Sequence, residues 1–169
     1  ALLSPFVLAS IAILLNAFIN KVPVDFSALL RSKEFPQFHL LTFFIYNLVF
    51  FGLGEEVGWR GFALPKFQSR FNALTSSIIL TVFWVIWHWP LFFYRPGYTS
   101  MDAAGIFGWA FSLLTGSVLL TWLYNASRGS ILICAIFHST IDIAFTADLA
   151  DKAVVNYMGF LITVWGILT

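Results

Sequence analysis

Of the 169 residues, 60% are hydrophobic and 10% charged, with a mean hydropathy of +0.88. Soluble domains run nearer roughly 45–50% apolar and about 25% charged, so the chain reads as an integral, multi-pass membrane protein. A net charge of +1, without a basic run, excludes a nucleic-acid surface, and the single cysteine, Cys134, excludes a disulfide framework or a cysteine-rich zinc site.

The length accommodates one domain, 1–169, of about six spanning helices at about 20 residues each. The sequence starts at Ala1 and its last apolar run ends at Thr169, so the chain is expected to be part of a longer one, and no cleavable signal peptide is recognisable within it. Ala1–Asn20 is a nearly unbroken apolar run, with Pro5 tolerable in its first turn. From Lys21 to Gln37, Lys21, Asp25, Arg31, Lys33 and Glu34 are spaced among Val22, Val24, Phe26, Leu29 and Leu30. That pattern predicts a loop with a short interfacial helix, capped by Asp25 or Ser27 and stopped by Pro36. His39, at the start of the next helix, is read as interfacial.

Phe38 to about Leu64 predicts a second helix, long for a simple span. Its latter half carries Gly54-Glu55-Glu56-Val57-Gly58-Trp59-Arg60-Gly61. Gly54 and Gly58 form a small-xxx-small pair, extended by Gly61, that would let a neighbouring backbone approach beside the carboxylates. Pro65–Asn72 reads as a polar connection, and Leu74 to about Phe93 as a third span with Trp84, Trp87, His88, Trp89 and Pro90. An interfacial belt explains the tryptophans but not His88. A loop from Arg95 to Asp102 leads to Ala104–Tyr124, a fourth span without an ionisable residue, and Asn125–Ser130 is a tight connection. Ile131–Phe145 is a fifth segment with His138 and Asp142 one turn apart; Asp148, Asp151 and Lys152 mark a turn before a sixth, Val154–Thr169. Cys134, in an apolar run, is assigned to packing.

With the loop charges set aside, the intramembrane ionisable groups are Glu55, Glu56, Arg60, His88, His138 and Asp142, from three helices. A charged side chain at the centre of a span costs roughly 2.5–3.5 kcal/mol even on insertion scales, so these helices are expected to converge around a membrane-embedded polar cavity. Glu56 and Arg60 share a helical face, while Glu55 points about 100° away and stays available. Such a set suits hydrolysis: a carboxylate and an imidazole can share a water that attacks a carbonyl, and a second histidine can stabilise the oxyanion. One glutamate and two histidines, here Glu55, His88 and His138, are also an acceptable ligand set for a divalent metal such as zinc. There is no His-Glu-x-x-His, no Gly-x-Ser-x-Gly and no pair of separated intramembrane aspartates to support other hydrolytic plans.

In order, Glu55-Glu56-x-x-x-Arg60, a helix with an aromatic four residues before His88, and His138-x-x-x-Asp142 resemble the CPBP intramembrane proteases, which include type II CAAX prenyl endopeptidases and bacterial Abi proteins. The resemblance spans about residues 38–145. It implies an all-α transmembrane bundle that cuts a peptide bond of a membrane-associated, prenylated CAAX-type substrate. By the same resemblance, Glu55 and His88 activate the water, Glu56 and Arg60 support Glu55, and His138 and Asp142 stabilise the oxyanion or orient the carbonyl. Two positions depart from the pattern: Trp84 stands where the family has phenylalanine, and Asp142 where the prenyl-protease branch has asparagine. The second departure points to the bacterial Abi side and a bacterial cell membrane. Straight, centred helices would separate Glu55 and His88 by about 13 Å in depth, so the second helix is expected to be displaced until Glu55 is level with His88. Two other readings stay open: a non-catalytic immunity or binding protein of the same fold, and a proton-coupled transporter.

Overall fold

The computed structural model describes residues 1–32, 35–147 and 152–169. Lys33, Glu34, Asp148 and Asp151, placed above in the interfacial loop and the last turn, lie outside the described residues. Six long helices follow one another among the described residues: α1 (Ser4–Asn20), α2 (Leu40–Gln68), α3 (Ala73–Phe93), α4 (Ala103–Ala126), α5 (Ile131–Thr146) and α6 (Lys152–Leu168). α2, α3 and α4 are long and apolar enough to cross a membrane; α1, α5 and most of α6 are shorter apolar helices. The fold is all-α, as hydropathy predicts, because a helix satisfies its own backbone where no water can.

Three of these helices start on a short polar side chain. Asn72, Asp102 and Ser130 accept hydrogen bonds from the amides of Thr75, Gly105 and Ile133, each cap contributing about 1 kcal/mol. The tight connection between α4 and α5 turns through Arg128 and Gly129, at φ 57° and 83°, a conformation that favours glycine. The interfacial segment is a single 3-10 turn, Ser27–Leu30, where Asp25 Oδ1 accepts from both the amide and hydroxyl of Ser27.

α6 packs against both α1 and α4. Val154 and Met158 join Ala9, Ala12 and Ile13 in one apolar core, and at Gly166 the backbone of α6 lies against the Thr115 carbonyl. A second core unites the C-terminal half of α2 with α3, α4 and α5 through Leu64, Leu80, Trp84, Leu119, Cys134 and Phe137. Large apolar side chains such as Phe18, Phe50, Val82, Phe107 and Phe160 face outward, as a lipid-facing surface requires. An isolated antiparallel bridge pairs Ser32 with Ala147, and Ser32 Oγ donates to the Thr146 carbonyl.

The helix that carries the acidic motif is continuous but not uniform. Two π-helical stretches, Leu48–Leu53 and Trp59–Ala63, flank an α-helical turn at Gly54–Gly58. The buried positions along it are Phe43, Asn47, Gly52, Glu56, Arg60 and Leu64, so one step is five residues where the others are four. A regular helix of 3.6 residues per turn would carry the stripe from Asn47 on to about positions 54 and 58. The wide turn carries it instead to 52, 56 and 60.

Gly54 and Gly58 are therefore exposed, against expectation. A Cβ at Gly58 would meet nothing within 4 Å. The close approach occurs at Gly52, where a Cβ would collide with the Ser139 hydroxyl and the Ala135 carbonyl of α5, and at Gly61, where it would come 2.8 Å from Ile131. The second correction concerns the end of α2, which runs through Pro65 to Gln68 instead of stopping at Leu64. Proline has no amide hydrogen to donate, and the π turn just before it accommodates the missing bond.

Candidate active site

Glu56 and Arg60 sit on the inner face of α2, both fully buried. Arg60 Nη1 donates to Glu56 Oε1 at 2.8 Å, and His138 Nδ1 reaches the same oxygen at 2.8 Å. A carboxylate only accepts, so Nδ1 carries the proton there and Nε2 is the nitrogen of His138 that remains for a substrate. Arg60 Nη2 extends to Ser117 Oγ of α4 at 3.5 Å, and its guanidinium lies 4.7 Å over the Trp84 ring of α3. One buried ion pair thus ties α2 to α3, α4 and α5. Glu56 Oε2 and Arg60 Nε are buried without a hydrogen-bond partner among the described residues.

Glu55, the next residue, turns to a different neighbour. Its Oε2 accepts from Trp84 Nε1 at 2.8 Å and from Trp59 Nε1 at 3.3 Å. The expected unpaired carboxylate is therefore held, by one oxygen, between two indoles. His88 lies one turn after Trp84, and its Nδ1 donates to the Trp84 carbonyl at 2.7 Å, so Nε2 again is left for chemistry. Its imidazole stacks with Tyr98 at 6.4 Å and meets Trp109 edge-on at 5.8 Å, and Phe92 packs against both of those rings. Tyr98 comes from a single helical turn, Pro96–Thr99, between α3 and α4. Burial pushes its phenol above the usual tyrosine range, opposed by the positive charge of Arg95, whose guanidinium lies 5.7 Å over the ring.

On α5, His138 Nε2 stands 3.6 Å from Asp142 Oδ2, an ion-pair distance too long for a hydrogen bond, and the His138 ring meets Trp84 edge-on at 5.5 Å. Glu55, Arg60, His88 and His138 thus each touch Trp84, with Glu56 bonded to Arg60 and His138, and Asp142 beside His138. Glu55 was expected to come level with His88; the residue of α3 that its carboxylate bonds is Trp84, one turn, about 6 Å of rise, before His88.

Among the described residues no three His, Cys, Asp or Glu side chains come together as metal ligands. His138 Nδ1 bonds Glu56 and His88 Nδ1 bonds the Trp84 carbonyl, so each imidazole keeps its Nε2 as the nitrogen that a metal or a substrate would meet.

Sequence reasoning missed the indole donors. The spacing of Trp59 four residues after Glu55 was a visible signal, as was Trp84 four before His88. Tyr98, Trp109 and Ser117 come from other elements and left no periodic trace.

Residues 37–144 match the family model described as type II CAAX prenyl endopeptidase Rce1-like. Over 93 residues the chain is 36% identical to a protein named CAAX prenyl protease 2 from Methanococcus maripaludis, an alignment covering 53% of this chain and 34% of the relative. The chain thus spans about a third of the length of that curated relative, which is archaeal and lends no support to the expected bacterial source. The family match opens just before α2 and closes two residues after Asp142, so it contains every polar group that gathers around Trp84: this chain belongs to the Rce1-like type II CAAX prenyl endopeptidase family.

Proposed function

We propose that the chain is the catalytic core of an intramembrane endopeptidase that cleaves membrane-associated polypeptides by carboxylate-assisted attack of water. The observation that carries this reading is the arrangement of Glu55. One of its oxygens is fixed by two indoles, which assigns the other, Oε1, as the group to accept a proton from water. As the water oxygen bonds to the peptide carbonyl carbon, its proton passes to Glu55. The negative charge on the carbonyl oxygen is met by the imidazoles, His138 through Nε2 and His88 through Nε2 once protonated. The proton on Glu55 then goes to the departing amine nitrogen as the C–N bond breaks, leaving a carboxyl end and an amine end. Glu56 and Arg60 do not touch the substrate in this scheme; they hold His138 and Trp84. Asp142 orients His138 from the next turn of α5.

The substrate class to test first is the prenylated CAAX type, because the matched relative carries that name. The test is cleavage of a fluorogenic prenylated peptide and of a membrane-protein set by the chain in liposomes, with and without a chelator. Glu55→Gln and His88→Ala should each lower kcat/KM by about 100-fold or more, and the chelator separates water activated by Glu55 alone, with the rate unchanged, from a metal held by Glu55, His88 and His138, with the rate lost. Wild-type activity undiminished in Glu55→Gln, or no cleavage of any substrate, would move the assignment to a non-catalytic binding protein of the same fold.

A further inference from the structure

Trp84 is 4% exposed, and burial alone would be met equally well by phenylalanine. What phenylalanine lacks is an N–H, and an indole N–H inside a membrane bundle needs an acceptor. Here that acceptor is Glu55 Oε2 at 2.8 Å. The same oxygen takes the N–H of Trp59 at 3.3 Å, so two donors, one from the carboxylate's own helix and one from α3, converge on a single atom. A carboxylate free to turn about its last bond spreads its basic lone pairs over an arc. Two donors on Oε2 stop that rotation and fix the direction of Oε1. Trp84 holds the second proton-handling group as well, through its backbone: its carbonyl takes the His88 Nδ1 hydrogen at 2.7 Å. One residue therefore sets the base by its side chain and the imidazole by its main chain, and only the first link is removed by substitution.

We propose that Trp84, assisted by Trp59, is a positioning residue that orients Glu55 for proton transfer by holding one carboxylate oxygen with an indole N–H. The role rests on the hydrolytic reading given above, since it is exerted on that reaction.

The experiment uses the full chain in nanodiscs with a prenylated peptide, and compares wild type with Trp84→Phe, Trp59→Phe, the double variant and Glu55→Gln. Trp84→Phe keeps the ring and removes the donor. It should lower kcat about tenfold, the range for loss of a hydrogen bond to a charged group, with KM within about twofold and the same unfolding temperature. Trp59→Phe, losing the longer bond on a side chain that lies at the edge of the second core rather than within it, should cost about threefold and disturbs packing less, so it guards against a folding defect in the first variant.

A second readout does not depend on turnover. The seven tryptophans give indole N–H resonances in a 15N-labelled sample, and the peak lost in Trp84→Phe identifies Trp84. That peak should shift in Glu55→Gln, because a neutral amide oxygen is a weaker acceptor than a carboxylate. An unchanged kcat in both phenylalanine variants, or a Trp84 resonance that does not move in Glu55→Gln, overturns the positioning role while leaving a Glu55-dependent protease intact. Wild-type protein without Glu55-dependent turnover overturns the hydrolytic reading, and the positioning role falls with it.

Discussion

Arg60 and Glu56 expose no surface, yet the pair reaches helices other than its own: His138 of α5 shares Glu56 Oε1, and Ser117 of α4 and the Trp84 ring of α3 receive the guanidinium. Removing one partner from a buried pair leaves an uncompensated charge, at a cost of about 3–5 kcal/mol, whereas removing both is far less damaging. Arg60→Met should therefore lower the unfolding midpoint steeply, and Arg60→Met with Glu56→Gln should regain part of the loss. Equilibrium unfolding of both singles and the double, read as a double-mutant cycle, checks this; additive losses would mean that the two side chains do not act as a unit. At this scale the Glu56–Arg60 and His138–Asp142 pairs were legible because both members of each lie four apart on one helix. The bond from Glu56 to His138 and the indole bonds to Glu55 were not fully legible, since Glu56–His138 and Glu55–Trp84 join residues on different helices and their geometry depends on packing.

Along single elements, the length and apolar content of each helix announced its place, and boundaries agreed within a few residues except at α2. That helix was misread in two ways: a fixed period of 3.6 cannot foresee the five-residue step at Leu48–Leu53, and the polar run from Pro65 was read as a connection although α2 continues to Gln68. Gly54 and Gly58 looked like the packing pair, but the wide turn at Leu48–Leu53 gives that contact to Gly52. The contrast is measurable. Gly52→Val must push α2 away from the Ala135 carbonyl and should lower stability by about 1–3 kcal/mol or more. Gly58→Ala, in open surroundings, should raise it by about 0.5–1 kcal/mol by restricting the unfolded chain and favouring helix. Thermal unfolding of both variants decides; equal losses would place both glycines in the interface.

For the molecule as a whole, α2 to α5 carry the site and coincide with the family match over residues 37–144, while α1 and α6 form an apolar core of their own with the end of α5. Hydropathy alone gave the membrane class and the order of six apolar helices; of the six expected spans, α2, α3 and α4 are long and apolar enough to cross a membrane among the described residues, and α1, α5 and α6 are shorter. It could not say that α6 packs on both α1 and α4, since apolar faces carry no address. Glu55 and Trp84 meet one residue past the middle of the helices Leu40–Gln68 and Ala73–Phe93, and the proposed substrate is one held in the bilayer. A prenylated peptide should accordingly be cleaved at least about tenfold faster in liposomes than its unprenylated twin, the lipid concentrating it at the surface by burial of its chain. Equal rates for the two peptides would point to a site fed from water.

The five-residue step in α2 can also be regarded as a slip of phase. If the buried stripe is a wave running down the helix, the part before Leu48 and the part after Leu53 obey the same wavelength but start about 100° apart. Each half keeps its own reference direction, and the slip amounts to one residue. Without it, the wave would crest on two bare glycines, and α2 would be a tidy packing rod. With it, the crest falls on an acid and its arginine, and the neighbouring acid swings toward the indole of α3.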